Sequence, residues 1–223
     1  MQSWGTTSRF DERDTQLEPS KSGVIGLLCA ALGRDRSEPV HDLAVLRMGV
    51  RVDREGVPMR DFQTAKGLLI ATGKVDKERT VVSPRHYLAD AAFLVGLEGD
   101  GEALLRQLQQ ALLHPVWPLA LGRKAFVPGC PVAIAEPPFL GLHPGSLEQA
   151  LQEQPSIARP RREQAGRALR TAIEHSSRGA QRHDQPAGPF ASRCFGPRLV
   201  NPGEITDVPQ PPAAEPSAPA SAA

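Results

Sequence analysis

Pro19-Ser20-Lys21-Ser22-Gly23-Val24-Ile25-Gly26-Leu27-Leu28-Cys29-Ala30-Ala31-Leu32-Gly33 carries the marks of a single helix with both ends specified. Ser20 or Ser22 supplies a side-chain oxygen to cap the first turn. Gly33, followed by Arg34-Asp35-Arg36, supplies the stop. Between them every side is apolar or small, so the helix is expected to be buried all round rather than on one stripe. Gly23, Gly26, Ala30 and Ala31 leave room for another backbone to come close. Chemistry alone leaves two readings of Lys21 open. It is either a solvated residue at a helix start or, with the free N–H groups of the first turn, part of a phosphate site. The full G-x-x-x-x-G-K-[ST] cradle is absent.

The chain outward from this helix is 223 residues long, 40% hydrophobic and close to neutral at +1. That suffices for a real core and excludes a general polyanion binder, so any nucleic-acid site must be a local patch. Cys29, Cys130 and Cys194 stand far apart without a C-x-x-C pair, which argues against a disulfide framework or a cysteine zinc site and fits a reducing cytoplasm. No apolar run is long enough to span a bilayer, so no membrane partner is expected. Aromatic residues make up only 4%, too few for a broad base-stacking platform.

In chain order, Val40–Met48 reads as a short helix or the approach to a strand. Gly49-Val50-Arg51-Val52-Asp53 alternates apolar and charged residues, the pattern of a half-buried strand. Arg54-Glu55-Gly56 turns it, and Met59–Thr64 returns. Residues 65–84 read as an exposed hairpin arm, and Tyr87–Leu97 as a strand. Glu102–Leu113 is an amphipathic helix with Leu104, Leu105, Leu108, Ala111 and Leu112 on one face. Ser146–Gln152 is a short helix opened by a Ser146…Gln149 capping box. Residues 159–183 carry Arg159, Arg161, Arg162, Arg167, Arg170, Arg178 and Arg182, where propensity favours helix although Leu169, Thr171 and Ile173 alternate as in a strand. From Pro202 onward Pro and Ala dominate, and a disordered tail is expected.

The six histidines are scattered, with no H-E-x-x-H spacing and no G-x-S-x-G elbow, so neither metal nor cofactor is expected. Gly23-x-x-Gly26 echoes an RNA-clamping loop, but inside an apolar helix packing explains it better. His86, Tyr87 and Lys66 are the residues from which a metal-independent RNA-cleaving site would be built, from a base for the 2′-OH and a cation for the phosphate. Neighbouring strand residues point to opposite faces, which counts against it. Arg9, Lys21, Arg47, Arg51, Arg85, Arg123 and Lys124 fall at element ends or in loops, where phosphate contacts arise but where solvated arginines are commoner.

Six motifs then come in order: Met1-Gln2-Ser3-Trp4-Gly5, Pro19 to Leu28, Val50-Arg51-Val52-Asp53-Arg54-Glu55-Gly56, Asp61-Phe62-Gln63-Thr64, Ser83-Pro84-Arg85-His86-Tyr87-Leu88-Ala89-Asp90-Ala91-Ala92-Phe93 and Leu121-Gly122-Arg123-Lys124. Together they resemble the CasD family of crRNA 5′-handle-binding subunits of type I-E CRISPR Cascade, within the repeat-associated mysterious protein (RAMP) superfamily. The resemblance covers residues 1 to about 145, with an echo between Asp184 and Val200. It implies an α+β fold with a ferredoxin-like (RRM-like) core over 1–145. It also implies a β-hairpin thumb at about 64–84, a small C-terminal β region at 146–201 with Leu169–Glu174 as a strand, and the tail at 202–223. The function implied is a non-catalytic subunit of a cytoplasmic antiviral complex. It would bind the crRNA 5′ handle through Trp4, Arg9, Lys21, Ser22, Arg85, Tyr87, Arg123 and Lys124, beside the backbone and large subunits of Cascade.

Two alternatives stand beside this reading. One is an endoribonuclease processing repeat RNA, as in the type I-C branch; the other is a ferredoxin-like scaffold without RNA. Phe62-Gln63-Thr64 replaces the family's usual Phe-His-Thr, which removes a candidate base and favours binding. The family places a first apolar strand ahead of the Met-Gln-Ser-Trp-Gly motif. The expectation is therefore a cellular protein with roughly ten more residues, one strand and a turn, at its N-terminus.

Overall fold

The computed structural model describes residues 1–7, 12–69, 73–135, 141–158 and 166–210. Among the described residues four helices and seven strands follow one another as α1 (Lys21–Leu32), α2 (His41–Ala44), β1 (Arg47–Arg54), β2 (Val57–Leu69), β3 (Val75–Ala89), β4 (Ala92–Glu98), α3 (Glu102–Leu113), α4 (Leu147–Glu153), β5 (Leu169–His175), β6 (Ala180–Pro186) and β7 (Phe195–Ile205). The fold is α+β. An antiparallel five-stranded sheet runs β4-β1-β5-β7-β6, and β2 and β3 form a separate two-stranded ribbon.

The opening helix has the ends its sequence specifies. Ser20 Oγ accepts from the Gly23 N–H, and Gly33 closes the helix at φ 73°. Val24, Ile25, Leu28 and Cys29 pack into the main core with Val40, Leu43, Met48, Val50 and Leu108. α3 lies against α1 and turns Leu104, Leu105, Leu108 and Leu112 toward the same core. Each such leucine contributes roughly 1.5–3 kcal/mol when fully buried. The Phe190 ring lies over Gly26, in ordinary van der Waals reach of where a Cβ would be, at 3.8 Å.

The alternation in β1 has a different meaning from the one expected. Met48 and Val50 face the helices α1 and α3, but the charged positions are no more exposed: Arg51 is 0% and Asp53 1% exposed. The second face of the sheet is covered by α4, whose Leu147 and Leu151 press onto Gly49 and Gly96. A Cβ at Gly96 would stand 2.6 Å from Leu147 Cδ1. Arg51 donates to both oxygens of Asp53, at 2.6 and 2.9 Å, and to the carbonyls of Leu151, Gln154 (2.7 Å) and Pro155 (3.2 Å). A buried charge pair satisfied this fully holds the α4 C-terminus on the sheet; losing one partner of such a pair typically costs about 3–5 kcal/mol. The capping box of α4 is present, with Ser146 Oγ accepting from the Gln149 N–H and Gln149 Oε1 from the Ser146 N–H.

The strand expected over Tyr87–Leu97 is two strands, broken at Asp90, whose φ is 56°. Residues 169–175 form β5, against helical propensity, because they are hydrogen-bonded on both sides by β1 and β7. The ribbon is exposed along β2 and much of β3, with Met59, Phe62 and Val82 open on its surface. In the ferredoxin-like arrangement α1, β1, β4 and α3 are its inner four elements, both helices on one face. Among the described residues β4 and β6 are the edges of the five-stranded sheet. The disordered tail expected from Pro202 begins later, because residues 202–205 pair with β5 as the end of β7; Arg9 and residues 211–223 lie outside the described residues.

Candidate nucleic-acid interface

The N-terminal segment is stitched to the base of the ribbon. Gln2 and Leu88 exchange backbone hydrogen bonds of 2.9 and 2.8 Å, and Arg13 forms a parallel bridge with Arg85. Ser3 N–H donates to the Leu121 carbonyl at 3.0 Å, which brings in the loop after α3. That approach requires a glycine beside it: Gly122 has φ 90°, and a Cβ there would lie 1.7 Å from the Ser3 carbonyl oxygen. Trp4 is buried at 4% exposure, its indole N–H donating to Gln2 Oε1 at 3.1 Å. Its ring fits only because Gly23 lacks a side chain, where a Cβ would meet Trp4 Cε3 at 2.8 Å.

These contacts gather three arginines that are remote in sequence. Arg13 and Arg85 are joined through the backbone bridge, and Arg123 Nη2 donates to the Arg13 carbonyl at 3.1 Å. Arg123 also lies over the Phe126 ring, 5.7 Å from its centroid, and Phe126 packs on Tyr87 with centroids 5.5 Å apart. Burial, and then the positive charge of Arg85 and Arg13, hold the Arg123 pKa below its ordinary value, with Asp14 and Asp61 opposing. Arg85 Nε is buried and makes no hydrogen bond to any described residue. Such an arrangement holds positive charge and donor capacity ready for an anion. Beside it opens a cleft of about 290 Å3 whose lining includes Trp4, Arg13, Ser22, Arg123, Phe190 and Phe195.

Lys21 is not part of this surface. It is 1% exposed, and its Nζ donates to both oxygens of Glu174 at 3.0 and 2.9 Å. Its backbone N–H donates to Asp184 Oδ2 at 2.7 Å, while the Gly23 N–H is taken by Ser20 Oγ. The positive end of α1 thus meets a carboxylate of the protein itself, which removes the phosphate reading of this helix start. Arg198 completes the network, donating to Asp184 at 2.6 and 2.9 Å. Burial raises the Asp184 pKa, but the hydrogen bond and charge of Arg198, with the Lys21 N–H, outweigh it and leave the carboxyl below its ordinary value. Burial likewise draws the Lys21 ammonium down, only partly offset by Glu174.

Of the other residues singled out, Ser22 lines the cleft and Lys124 is exposed in the turn before Phe126. Tyr87 supports the loop that carries Arg123. Arg47 is committed to Glu98 and Glu148, and Arg51 to Asp53. His86 pairs across the ribbon with Arg60 and Tyr87 with Met59, on opposite faces, and His86 stands 3.7 Å from Glu12. Lys66 lies six residues beyond Arg60 along β2, roughly 20 Å from His86 at the usual strand rise. Sequence reasoning missed Arg13, Phe190 and Phe195. Arg13 is marked only by its bridge to Arg85, and the two phenylalanines by a turn that folds back over α1.

Comparison with known proteins gives a consistent picture. A family model described as "CRISPR-associated protein (Cas_Cas5)" matches residues 1–201. "CRISPR system Cascade subunit CasD" of Escherichia coli (strain K12) is 32% identical over 154 residues, 63% of this chain; the match spans 66% of that protein, just under two thirds of its length. A solved structure titled "Crystal structure of Cas protein" is 46% identical, with a TM-score of 0.72, and the match covers 95% of this chain and 94% of that one. A chain of a "CRISPR RNA-guided surveillance complex" is 32% identical, with a TM-score of 0.70 over 93% of this chain and 90% of that one.

Proposed function

The chain belongs to the CRISPR-associated Cas5 family, and on that premise we propose that it is a non-catalytic subunit of a type I-E Cascade that grips the 5′ handle of the crRNA in the cytoplasm. The observation that carries this reading is the group Arg13, Arg85 and Arg123, with a buried guanidinium nitrogen on Arg85 that has no partner among the described residues. An RNA backbone phosphate supplies the charge and acceptor oxygens this group lacks. Arg85 and Arg123 are the principal contacts, Arg13 joins them, Ser22 lines the adjoining cleft, and Lys124 adds charge at the loop tip. The exposed Met59, Phe62 and Val82 of the ribbon suit a neighbouring protein subunit, where large side chains left open in the free chain become buried.

The arrangement of the ribbon supports the non-catalytic part of the reading. General base catalysis needs the base, the cation and the 2′-OH within hydrogen-bond reach of one another. His86 and Tyr87 point to opposite faces, and Lys66 is far along the ribbon. Purified protein incubated with repeat RNA in chelator is expected to bind it and leave it intact. A single cut that disappears in His86→Ala or Tyr87→Phe would overturn this part.

A further inference from the structure

We propose that the cleft beside the start of α1 is a pocket for one unpaired nucleobase, with Phe195 as its stacking residue. The inference rests on the RNA-binding reading and adds to it a base-holding element supplied by the C-terminal region. The cleft, about 290 Å3, lies at the low end of the roughly 300–1,000 Å3 usual for small-molecule pockets, a size suited to one planar ring system. Its lining joins the rings of Phe190 and Phe195, with centroids 6.3 Å apart and tilted by 52°, to Ser20, Ser22, Arg13, Asp14 and Arg123.

Phe195 is 40% exposed although it is a large apolar ring in a chain with few aromatics. The turn that presents the pair is fixed before any ligand arrives. Ala187 N–H donates to the Cys194 carbonyl at 3.0 Å, and Ala191 N–H to the Arg36 carbonyl at 2.8 Å. Arg36 Nη2 donates to the Phe190 carbonyl at 3.2 Å. Aromatic rings together with hydroxyl and guanidinium groups in one cleft match a flat heterocycle with a polar edge and an attached phosphate. An apolar side chain of a protein partner would satisfy the phenylalanines but would strip water from Arg13, Asp14 and Arg123, which is costly. Stacking on a single ring tolerates any base, and the Ser and Arg groups of the lining add preference.

The test uses the full chain and a set of repeat-derived oligoribonucleotides, each with one abasic position. Phe195→Leu keeps the apolar volume and removes the ring, and Phe195→Tyr keeps the ring. Phe195→Leu is expected to weaken binding about 5- to 100-fold with an unchanged salt slope, while Phe195→Tyr binds like the unsubstituted chain. One abasic position should cost the unsubstituted chain the same factor and cost Phe195→Leu nothing further. Affinity of Phe195→Leu within twofold of the unsubstituted chain, or losses that add at every abasic position, would overturn the base pocket alone. Absence of any RNA binding by the unsubstituted chain would overturn both the pocket and the function it rests on.

Discussion

Two groups of cations meet near the start of α1, and they have opposite fates. Lys21 and Arg198 are buried and face Glu174 and Asp184, two carboxylates for two cations. Arg13, Arg85 and Arg123 gather nearer the surface, where Asp14 and Asp61 act against the charges of Arg85 and Arg13 on Arg123. The physical rule behind the difference is the cost of desolvation. An interior cation without a matched anion costs several kcal/mol, so the buried group must be balanced by the protein's own acids. At the surface water screens the repulsion, an imbalance can persist, and the persisting imbalance is what a phosphate can use.

The largest effect should come from breaking the balanced group. Asp184→Ala leaves Arg198 and the positive end of α1 without their anion, and should destabilise the fold by about 3–5 kcal/mol in denaturant unfolding. The same carboxylates give the fold an acid dependence. Asp184 and Glu18 both titrate below their ordinary range in the folded chain, so it binds fewer protons there than the unfolded chain does. Their contribution is present above the ordinary carboxylate range, about pH 4, and is lost as the pH falls below it. Melting temperatures followed from pH 7 to 3 should therefore fall, and fall less steeply in Asp184→Ala.

A smaller effect should come from the glycine that lets the Arg123 loop approach Ser3. Gly122→Ala places a Cβ against the Ser3 carbonyl at a positive φ, at a cost of about 1–3 kcal/mol. It should also weaken RNA binding, because Arg123 follows that residue. The smallest effect on stability belongs to the unbalanced group. Arg85→Gln combined with Arg123→Gln should change unfolding free energy by no more than about 0.5 kcal/mol, since it removes repulsion as well as contacts. A loss comparable to that of Asp184→Ala would mean the arginines are structural and the contrast between the groups is false.

What could be read from the sequence was what is local. Ser20, Gly33, and Ser146 with Gln149 mark helix ends because a cap acts within one turn, and the structure has those caps. The leucine stripe of α3 is equally local. The exposure of β1 was misread because the element covering its charged face, α4, comes about 100 residues later; Arg51 and Asp53 look solvated until Leu151 and Gln154 are brought over them. For β5 propensity alone favours helix and only the alternation of Leu169, Thr171 and Ile173 and the family resemblance point to a strand, because its partners β1 and β7 are set by topology. In the candidate site, Arg85 and Arg123 were singled out and do meet, whereas Lys21 is withdrawn by Glu174 and Asp184, each more than 150 residues away. Nothing in the residues around Lys21 distinguishes it from a surface cation.

The most direct test of the account is the salt dependence of RNA binding in two variants measured side by side. Removing a phosphate contact flattens the slope of log K against log salt by about 0.7 for single strands, while removing a structural cation leaves it unchanged. Arg85→Gln with Arg123→Gln should be shallower than the unsubstituted chain by about 1.4, and Lys21→Met should keep the full slope in whatever fraction remains folded. A full slope in the arginine variant together with a flattened one in Lys21→Met would contradict the division into a balanced interior group and an unbalanced RNA-holding one.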